Sequence, residues 1–425
     1  MNSQFRIIEH TIPCSSIREY HHAVKTDRLL QLAIKQYIPL NNHNPSRDDI
    51  SIIAGHANGI PKECYEPLWD DLLRTFEGKI KAIWFADCSN QGTSGVLNED
   101  NLGDDHLLGM VNHFSDQIKP PIVGVAHSFS CSQFVHVCIM HPRLFHSLIS
   151  LEPMIQVESP SKLGGRSPVL WASTRPDLWS SEHEAEKYIR SNPFWRRWDS
   201  RAVDKYIQYG LRALPTALYP LNTPGRPLLP GAVTLTTTKA QEAWTYLRLN
   251  ATPQIDGNDK NGALSRTERF LSPDLALSAK EGDNNNRNYV TVCPWSCIAF
   301  ELLSYVRPPV FFIFGGKSHI NIPARRQDKL DPIGTGLGGG GQVQAEVVLG
   351  ASHMAPLERV HDTACRMSDW LDIQLKAYRE EAEFWMRHDS KKSEQNGRAL
   401  SAQWMEYVQS PVDTKRERGI RPSHL

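Results

Sequence analysis

The sequence predicts an α/β fold with a mainly parallel sheet, a helical cap inserted between strands six and seven, and a C-terminal helical extension. Three observations predict it: short apolar runs recur through the first 155 residues, the middle of the chain changes texture, and two strand-like runs return after it. A length of 425 residues accommodates one large domain or two to three small ones.

In chain order, Phe5–Ile12 and Leu32–Leu40 read as a leading antiparallel pair. Asp49–His56 (DISIIAGH), Ile80–Asp87 (IKAIWFAD), Pro121–Ala126 (PIVGVA) and Leu148–Glu152 (LISLE) are short and apolar, each followed by a loop rich in Gly, Asn, Asp or Pro. Near-continuous apolar strands suit a sheet buried on both faces, and the stretches between them are long enough for helices. From about Gln156 to Leu302 the chain carries six of its 11 tryptophans, many prolines, and polar stretches such as Glu281–Asn288. Helical texture persists there at Ser181–Arg190 and Ser200–Arg212, so this region reads as a largely helical insertion with at least one mobile loop. Strand texture resumes at Val310–Gly315 (VFFIFG) and Val343–Leu349 (VQAEVVL), with the glycine run Gly334–Gly341 as a connector between them. Asp362–Val408 carries a long charged helical pattern, and a basic tail follows. The division expected is residues 1–155 and 303–375 for the two parts of the core, 156–302 for the cap, and 376–425 for the extension and tail.

Charge narrows the function classes. Lys plus Arg and Asp plus Glu both total 47, so no basic excess marks a nucleic-acid binder. With 40% hydrophobic and 22% charged residues the chain is neither disordered nor fibrous. No apolar run reaches the length of a membrane-spanning helix, and MNSQFRIIEHTIP lacks the apolar core of a signal peptide. The eight scattered cysteines do not form a disulfide framework. These features lead to the expectation of a soluble protein of a reducing compartment. Cys293 and Cys297 have no second pair at zinc spacing and the histidines show no ligand pattern, so no metal and no cofactor is expected.

The residues able to do chemistry lie at strand ends. Ile122–Cys131 (IVGVAHSFSC) runs from a buried strand through a tight turn into a helix, the form of a nucleophile elbow. Ala126 and Ser130, two before and two after Ser128, are small enough for the strained turn. Ser128 then stands at a helix N-terminus, whose dipole favours a developing oxyanion. His353, in LGASHMAPL after the last predicted strand, sits where a general base follows nucleophile and acid in chain order. The usual position for the acid, after Val310–Gly315, reads Gly316-Lys317-Ser318-His319, with no carboxylate before Asp328. Glu152, ending the strand after the elbow, can reach the same histidine from the neighbouring strand and fix its tautomer. The loop Gly55–Pro61 (GHANGIP) follows an apolar strand, and there Asn58 is expected to supply an oxyanion N–H alongside that of Phe129. His127 is expected to be buried under the elbow. Trp195 and Trp198 are expected to pack internally.

The elbow, HANGIPKECYEPLWDDL, LISLEP, LGASHMAPLE and NPFWRRWDSRAVDKYIQYGLR together resemble the fungal α/β-hydrolases of polyketide and toxin biosynthesis, and among these the peroxisomal acyl-CoA hydrolases of mycophenolic acid biosynthesis. The resemblance spans Phe5 to about Trp370. It implies an α/β-hydrolase fold and a serine hydrolase that cleaves an acyl-CoA thioester through an acyl-enzyme. Its Ser–Asp–His triad maps onto Ser128, Glu152 and His353. The chain departs from the family in Glu152 itself, in Ala126 and Ser130 around the nucleophile, and in Ala57 where glycine usually follows the histidine. An ester or lactone hydrolase, an acyltransferase, and a non-catalytic binding protein of the same fold remain alternatives at this point. The terminal Ser423-His424-Leu425 resembles the small-basic-Leu address read by the peroxisomal import receptor, which implies a peroxisomal matrix location. A homodimer is compatible with all of this.

Overall fold

The computed structural model describes residues 4–14, 29–101, 109–156, 167–220, 230–249, 290–292, 295–336, 342–389 and 399–409. Its strands are β1 (Phe5–Pro13), β2 (Gln31–Pro39), β3 (Ile50–Gly55), β4 (Ile80–Ala86), β5 (Ile122–His127), β6 (Ser147–Leu151), β7 (Leu178–Trp179), β8 (Leu211–Ala213), β9 (Val233–Leu235), β10 (Leu247–Leu249), β11 (Val290–Val292), β12 (Val310–Gly315) and β13 (Val343–Val348). Eight of them form one sheet in the order β1-β2-β4-β3-β5-β6-β12-β13. β2 runs antiparallel to β1 and to β4. Every other pairing in this sheet is parallel.

Alternation along the strands explains why their sequences are apolar throughout. Ile52, Ile83, Phe85, Val125, Phe311 and Ile313 face one hydrophobic cluster, while Ile53, Trp84, Ala126, Leu148, Phe312 and Phe314 face another on the opposite side. Helix α1 (Glu66–Thr75) covers the first face with Leu68, Trp69 and Leu72. After α2 (Gly92–Leu97) and α3 (Gly109–His113), helix α4 (Phe129–Met140) covers the second with Cys131, Val135 and Cys138. Trp69 is almost wholly buried, and its truncation to alanine costs about 3–5 kcal/mol by the usual core scale.

The inserted region is helical at α5 (Pro168–Thr174), α6 (Glu182–Ser191), α7 (Ser200–Gly210) and α8 (Lys239–Trp244). Ser181 caps α6 by accepting from the Glu184 N–H, the Ser-x-x-Glu arrangement of a capping box. The region also contains more strand than its sequence announces. α7 stops at Gly210 and not at Arg212, because Leu211–Ala213 leaves the helix to pair with Val233–Leu235 in the antiparallel order β7-β9-β8. Trp195 and Trp198 are buried in the same cluster as Trp69. Glu281–Asn288, most of Gly334–Gly341 and the terminal tripeptide lie outside the described residues.

The chain divides into two compact units at Leu375/Lys376. In the first, helix Val360–Asp389 begins by burying Ala364, Met367 and Leu371. In the second, helix Ala402–Gln409 buries no residue, and Trp404 and Tyr407 are exposed.

Candidate active site

Parallel strands bring their C-terminal ends to one edge of the sheet, and the candidate residues stand there. Ser128 follows β5 directly, at φ 59° and ψ −115°. This is left-handed backbone that a non-glycine residue adopts only where its surroundings impose it. Several bonds impose it. The Ser128 N–H donates to the Leu151 carbonyl at 2.9 Å, and the Ser128 carbonyl accepts from the N–H groups of Cys131 and Met154. Ser130 braces the same turn: its Oγ accepts from the His127 N–H at 3.0 Å and donates to the His127 carbonyl at 2.9 Å. Room for this side chain comes from β3, since a Cβ on Gly55 would stand 2.7 Å from the Ser130 Cβ. Serine in place of the usual glycine is therefore accommodated by a glycine on the adjacent strand.

Three predicted residues form one hydrogen-bonded chain. Ser128 Oγ lies 2.7 Å from His353 Nε2, and His353 Nδ1 lies 3.0 Å from Glu152 Oε2. Glu152 is fully buried and, like Ser128, has a positive φ, here 46°. Its carboxylate is satisfied from β12 and the loop after it. The Gly315 N–H donates to Oε1, and Ser318 Oγ (2.6 Å) and Asn321 Nδ2 (2.9 Å) donate to Oε2. Burial alone raises a carboxyl pKa, but His353, Ser318 and Asn321 outweigh it and hold Glu152 below its ordinary value. Lys329 is buried in the same neighbourhood, donating to the Arg325 carbonyl at 2.9 Å. Burial pushes its pKa down to about 8 against the pull of Glu152.

The loop after β3 is held by three hydrogen bonds to two residues, Glu242 and Gln91. Asn58 Nδ2 donates to the Glu242 carbonyl at 2.9 Å, its Oδ1 accepts from Gln91 Nε2 at 2.6 Å, and the Gly59 N–H donates to Gln91 Oε1 at 2.7 Å. Glu242 belongs to α8 and pairs with the buried Arg175, so the inserted region supports this loop. The side chain of Asn58 is thereby committed. Its backbone N–H and that of Phe129, in the first turn of α4, have no protein acceptor among the described residues. That leaves both free to receive an oxyanion.

Sequence reasoning missed Ser318, Asn321 and the Gly315 N–H as the partners of Glu152. The signal was present: a loop lacking the usual acid was rich in donors. Tyr65, whose hydroxyl stands 2.6 Å from His127 Nδ1, was also missed. An apolar cavity of about 380 Å³ lies between the ends of β3 and β4, α3, α4 and helix Trp295–Leu302, and none of the five candidate residues lines it. Among the described residues, no cluster of His, Cys, Asp or Glu is arranged to hold a metal, and no helix is long and apolar enough to cross a membrane.

The chain is 33% identical to the type I acyl-CoA thioesterase mpaH of Penicillium brevicompactum, with 98% of both chains covered. It is 31% identical to mpaH of Penicillium roqueforti over the whole of both chains. The chain belongs to the mpaH family of type I acyl-CoA thioesterases. No protein-family model matches it. Among solved structures it resembles the peroxisomal alpha-beta-hydrolase Lpx1 of Saccharomyces cerevisiae at a TM-score of 0.61 and 16% identity, with 99% of this chain and 100% of that one covered. This member of the thioesterase family therefore has the α/β-hydrolase fold and is a hydrolase.

Proposed function

We propose that the chain is a serine-type acyl-CoA thioesterase acting on a secondary-metabolite or fatty-acyl thioester. The observation that carries this is the unbroken Ser128–His353–Glu152 hydrogen-bond chain at the edge of the sheet, in a chain whose relatives are named for acyl-CoA hydrolysis. Ser128 Oγ attacks the thioester carbonyl while His353 Nε2 takes its proton. The oxyanion of the tetrahedral intermediate is received by the N–H groups of Asn58 and Phe129. The C–S bond then breaks, and the thiolate of CoA leaves with the proton held on His353. Water attacks the acyl-Ser128 ester, giving its proton to His353, and the free acid departs as Ser128 is reprotonated. Glu152 accepts the Nδ1–H of His353 throughout and stabilises the imidazolium. No metal or organic cofactor takes part in these steps. Residues 1–155 and 303–375 serve as the catalytic core, 156–302 as the cap, and 376–425 as an extension carrying the address Ser423-His424-Leu425 to the import receptor of the peroxisomal matrix.

A fluorophosphonate probe and a panel of acyl-CoAs, read by free-thiol release, test the chemistry. Wild type is expected to be labelled at Ser128 and to release CoA from at least one acyl-CoA faster than alcohol from the matched oxygen ester. Ser128→Ala is expected to abolish both signals while folding normally. Activity surviving in that variant removes Ser128 as nucleophile, and preference for the oxygen ester makes the protein an esterase. For the address, a fluorescent fusion with a free native C-terminus is expected in peroxisomes and its tripeptide deletion in the cytosol. Cytosolic signal from the intact tail overturns it.

A further inference from the structure

His127 precedes the nucleophile, is fully buried, and has no part in the steps above. Its surroundings form a directed chain of hydrogen bonds. The Ala57 N–H donates to Tyr65 Oη at 2.9 Å, Tyr65 Oη lies 2.6 Å from His127 Nδ1, and His127 Nε2 lies 2.9 Å from the backbone carbonyl of His353. Proton positions follow from the two ends. A backbone N–H only donates and a carbonyl only accepts. The ring must therefore carry its proton on Nε2 to meet the His353 carbonyl. Nδ1 is then bare, and the Tyr65 hydroxyl must donate to it while accepting from Ala57. No other arrangement of these protons leaves every group satisfied. Burial, followed by the nearby His353, pushes the His127 pKa down to about 3, which keeps the ring neutral and this tautomer in place. Burial likewise raises the Tyr65 phenol well above its ordinary value, so the hydroxyl keeps its proton.

The two ends of the chain are the two parts of the site that must stay in register. Ala57 precedes Asn58, whose N–H is assigned to the oxyanion, and the carbonyl belongs to His353 itself. Ala57 and His353 are 296 positions apart in the sequence, on loops after β3 and β13 that are not neighbours in the sheet. We infer that Tyr65 and His127 are positioning residues, which tie the oxyanion loop to the backbone of His353 through a single hydrogen-bonded relay passing beneath Ser128. The inference rests on the proposed catalytic roles of Asn58 and His353. Ala57 enters the relay through its backbone N–H, and its methyl is buried in the first cluster.

The experiment compares Tyr65→Phe, His127→Asn, their double variant, and His127→Gln, each by steady-state kinetics, fluorophosphonate labelling and thermal unfolding. Tyr65→Phe removes the central hydroxyl. Asn at position 127 reproduces a polar atom where Nδ1 stood but does not reach the His353 carbonyl, whereas the amide nitrogen of Gln overlays Nε2 but leaves Tyr65 without an acceptor. Each variant therefore breaks one link and keeps the other. Misplacing a catalytic group by an ångström costs up to about 100-fold. The two single variants are expected to lose about 10–100-fold in kcat with KM within about threefold, and labelling of Ser128 is expected to slow in parallel. The double variant is expected to be no worse than the poorer single by more than about threefold, because one relay is broken only once. His127→Gln keeps the donor to the His353 carbonyl but leaves Tyr65 without its acceptor, so its kcat is expected to fall to within about threefold of Tyr65→Phe. Single variants that lower only the melting temperature, losses that multiply in the double, or a Gln variant with wild-type kcat each overturn the relay. Should the Asn variant fail to fold, the kcat and KM of Tyr65→Phe decide alone. Absence of labelling in wild type defeats the hydrolase proposal instead, so the two failures are distinguishable.

Discussion

The ends of β6 and β12 lie side by side, with Leu151 opposite Ile313, and they serve the site in opposite ways. β6 ends in the carboxylate of Glu152. β12 ends in Gly315 and continues into Lys317 and Ser318 without any carboxylate, and it offers the donors that Glu152 accepts. Adjacent strands stand only about 5 Å apart, so an acid from either one reaches the same histidine. In the proposed mechanism, the difference teaches that the acid is defined by where its charge lands and by what surrounds it. A fully buried carboxylate needs partners for its oxygens, so the strand that lacks the acid has to supply them. The β6 end also carries the strain. Its φ of 46° turns the Glu152 side chain toward β12, at a cost of about 1–3 kcal/mol for a non-glycine residue in that region.

The largest break of this asymmetry is Glu152→Gln, which keeps the shape and removes the charge. Turnover is expected to fall by about 10²–10⁴, the scale seen when a triad carboxylate is neutralised. Finding kcat within tenfold of wild type places the functional acid elsewhere. Moving the acid across the strands is the sharper test. Ser318 Oγ is 2.6 Å from Glu152 Oε2, so Ser318→Asp added to Glu152→Gln puts a carboxylate beside the same point from the other strand. About tenfold recovery in kcat over the single variant is expected, and none at all means the β12 end cannot host the charge.

A smaller effect concerns pH. The folded pKa of Glu152 lies below its ordinary 4.5, so its ionisation stabilises the fold fully above that value and the contribution is lost as pH falls through the depressed folded pKa. Ser318→Ala deletes one donor to the charge, worth about 1.5–3 kcal/mol for a bond of this kind. It is expected to lower the melting temperature at pH 7 and to move the onset of acid destabilisation to higher pH. Melting curves from pH 7 to 3 that shift equally for variant and wild type contradict this role. Smallest of all, Asp328→Asn and Asp331→Asn are expected to stay within a few-fold in kcat, because the first lies in helix Pro323–Leu330 and the second follows it, with Asp331 bonded to Gln327 and neither to His353. A 100-fold loss in either assigns the acid to the β12 side after all.

Much of this was legible in the residues. The strands announced themselves because a parallel sheet covered on both faces admits almost no polar side chain, as in IKAIWFA and VFFIFG. Ser128 and His353 were marked by local patterns at strand ends. Glu152 was found by elimination, since the usual acid position held none. Short strands such as Leu211–Ala213 were not legible, because three residues carry no period and their pairing partner lies about twenty residues away.

What the sequence determined by itself was the eight strands of the main sheet, their order along the chain, and the strained turn that carries Ser128. These follow from periodicity and from backbone sterics, both properties of a few neighbouring residues. Only the tertiary structure decided which distant donors meet. Ser318 and Asn321 converge on Glu152 from more than 160 positions away, and His127 meets the His353 carbonyl across 226. No local pattern encodes such meetings, because hydrogen bonds depend on distances of about 3 Å, and those are set only when the whole sheet has closed.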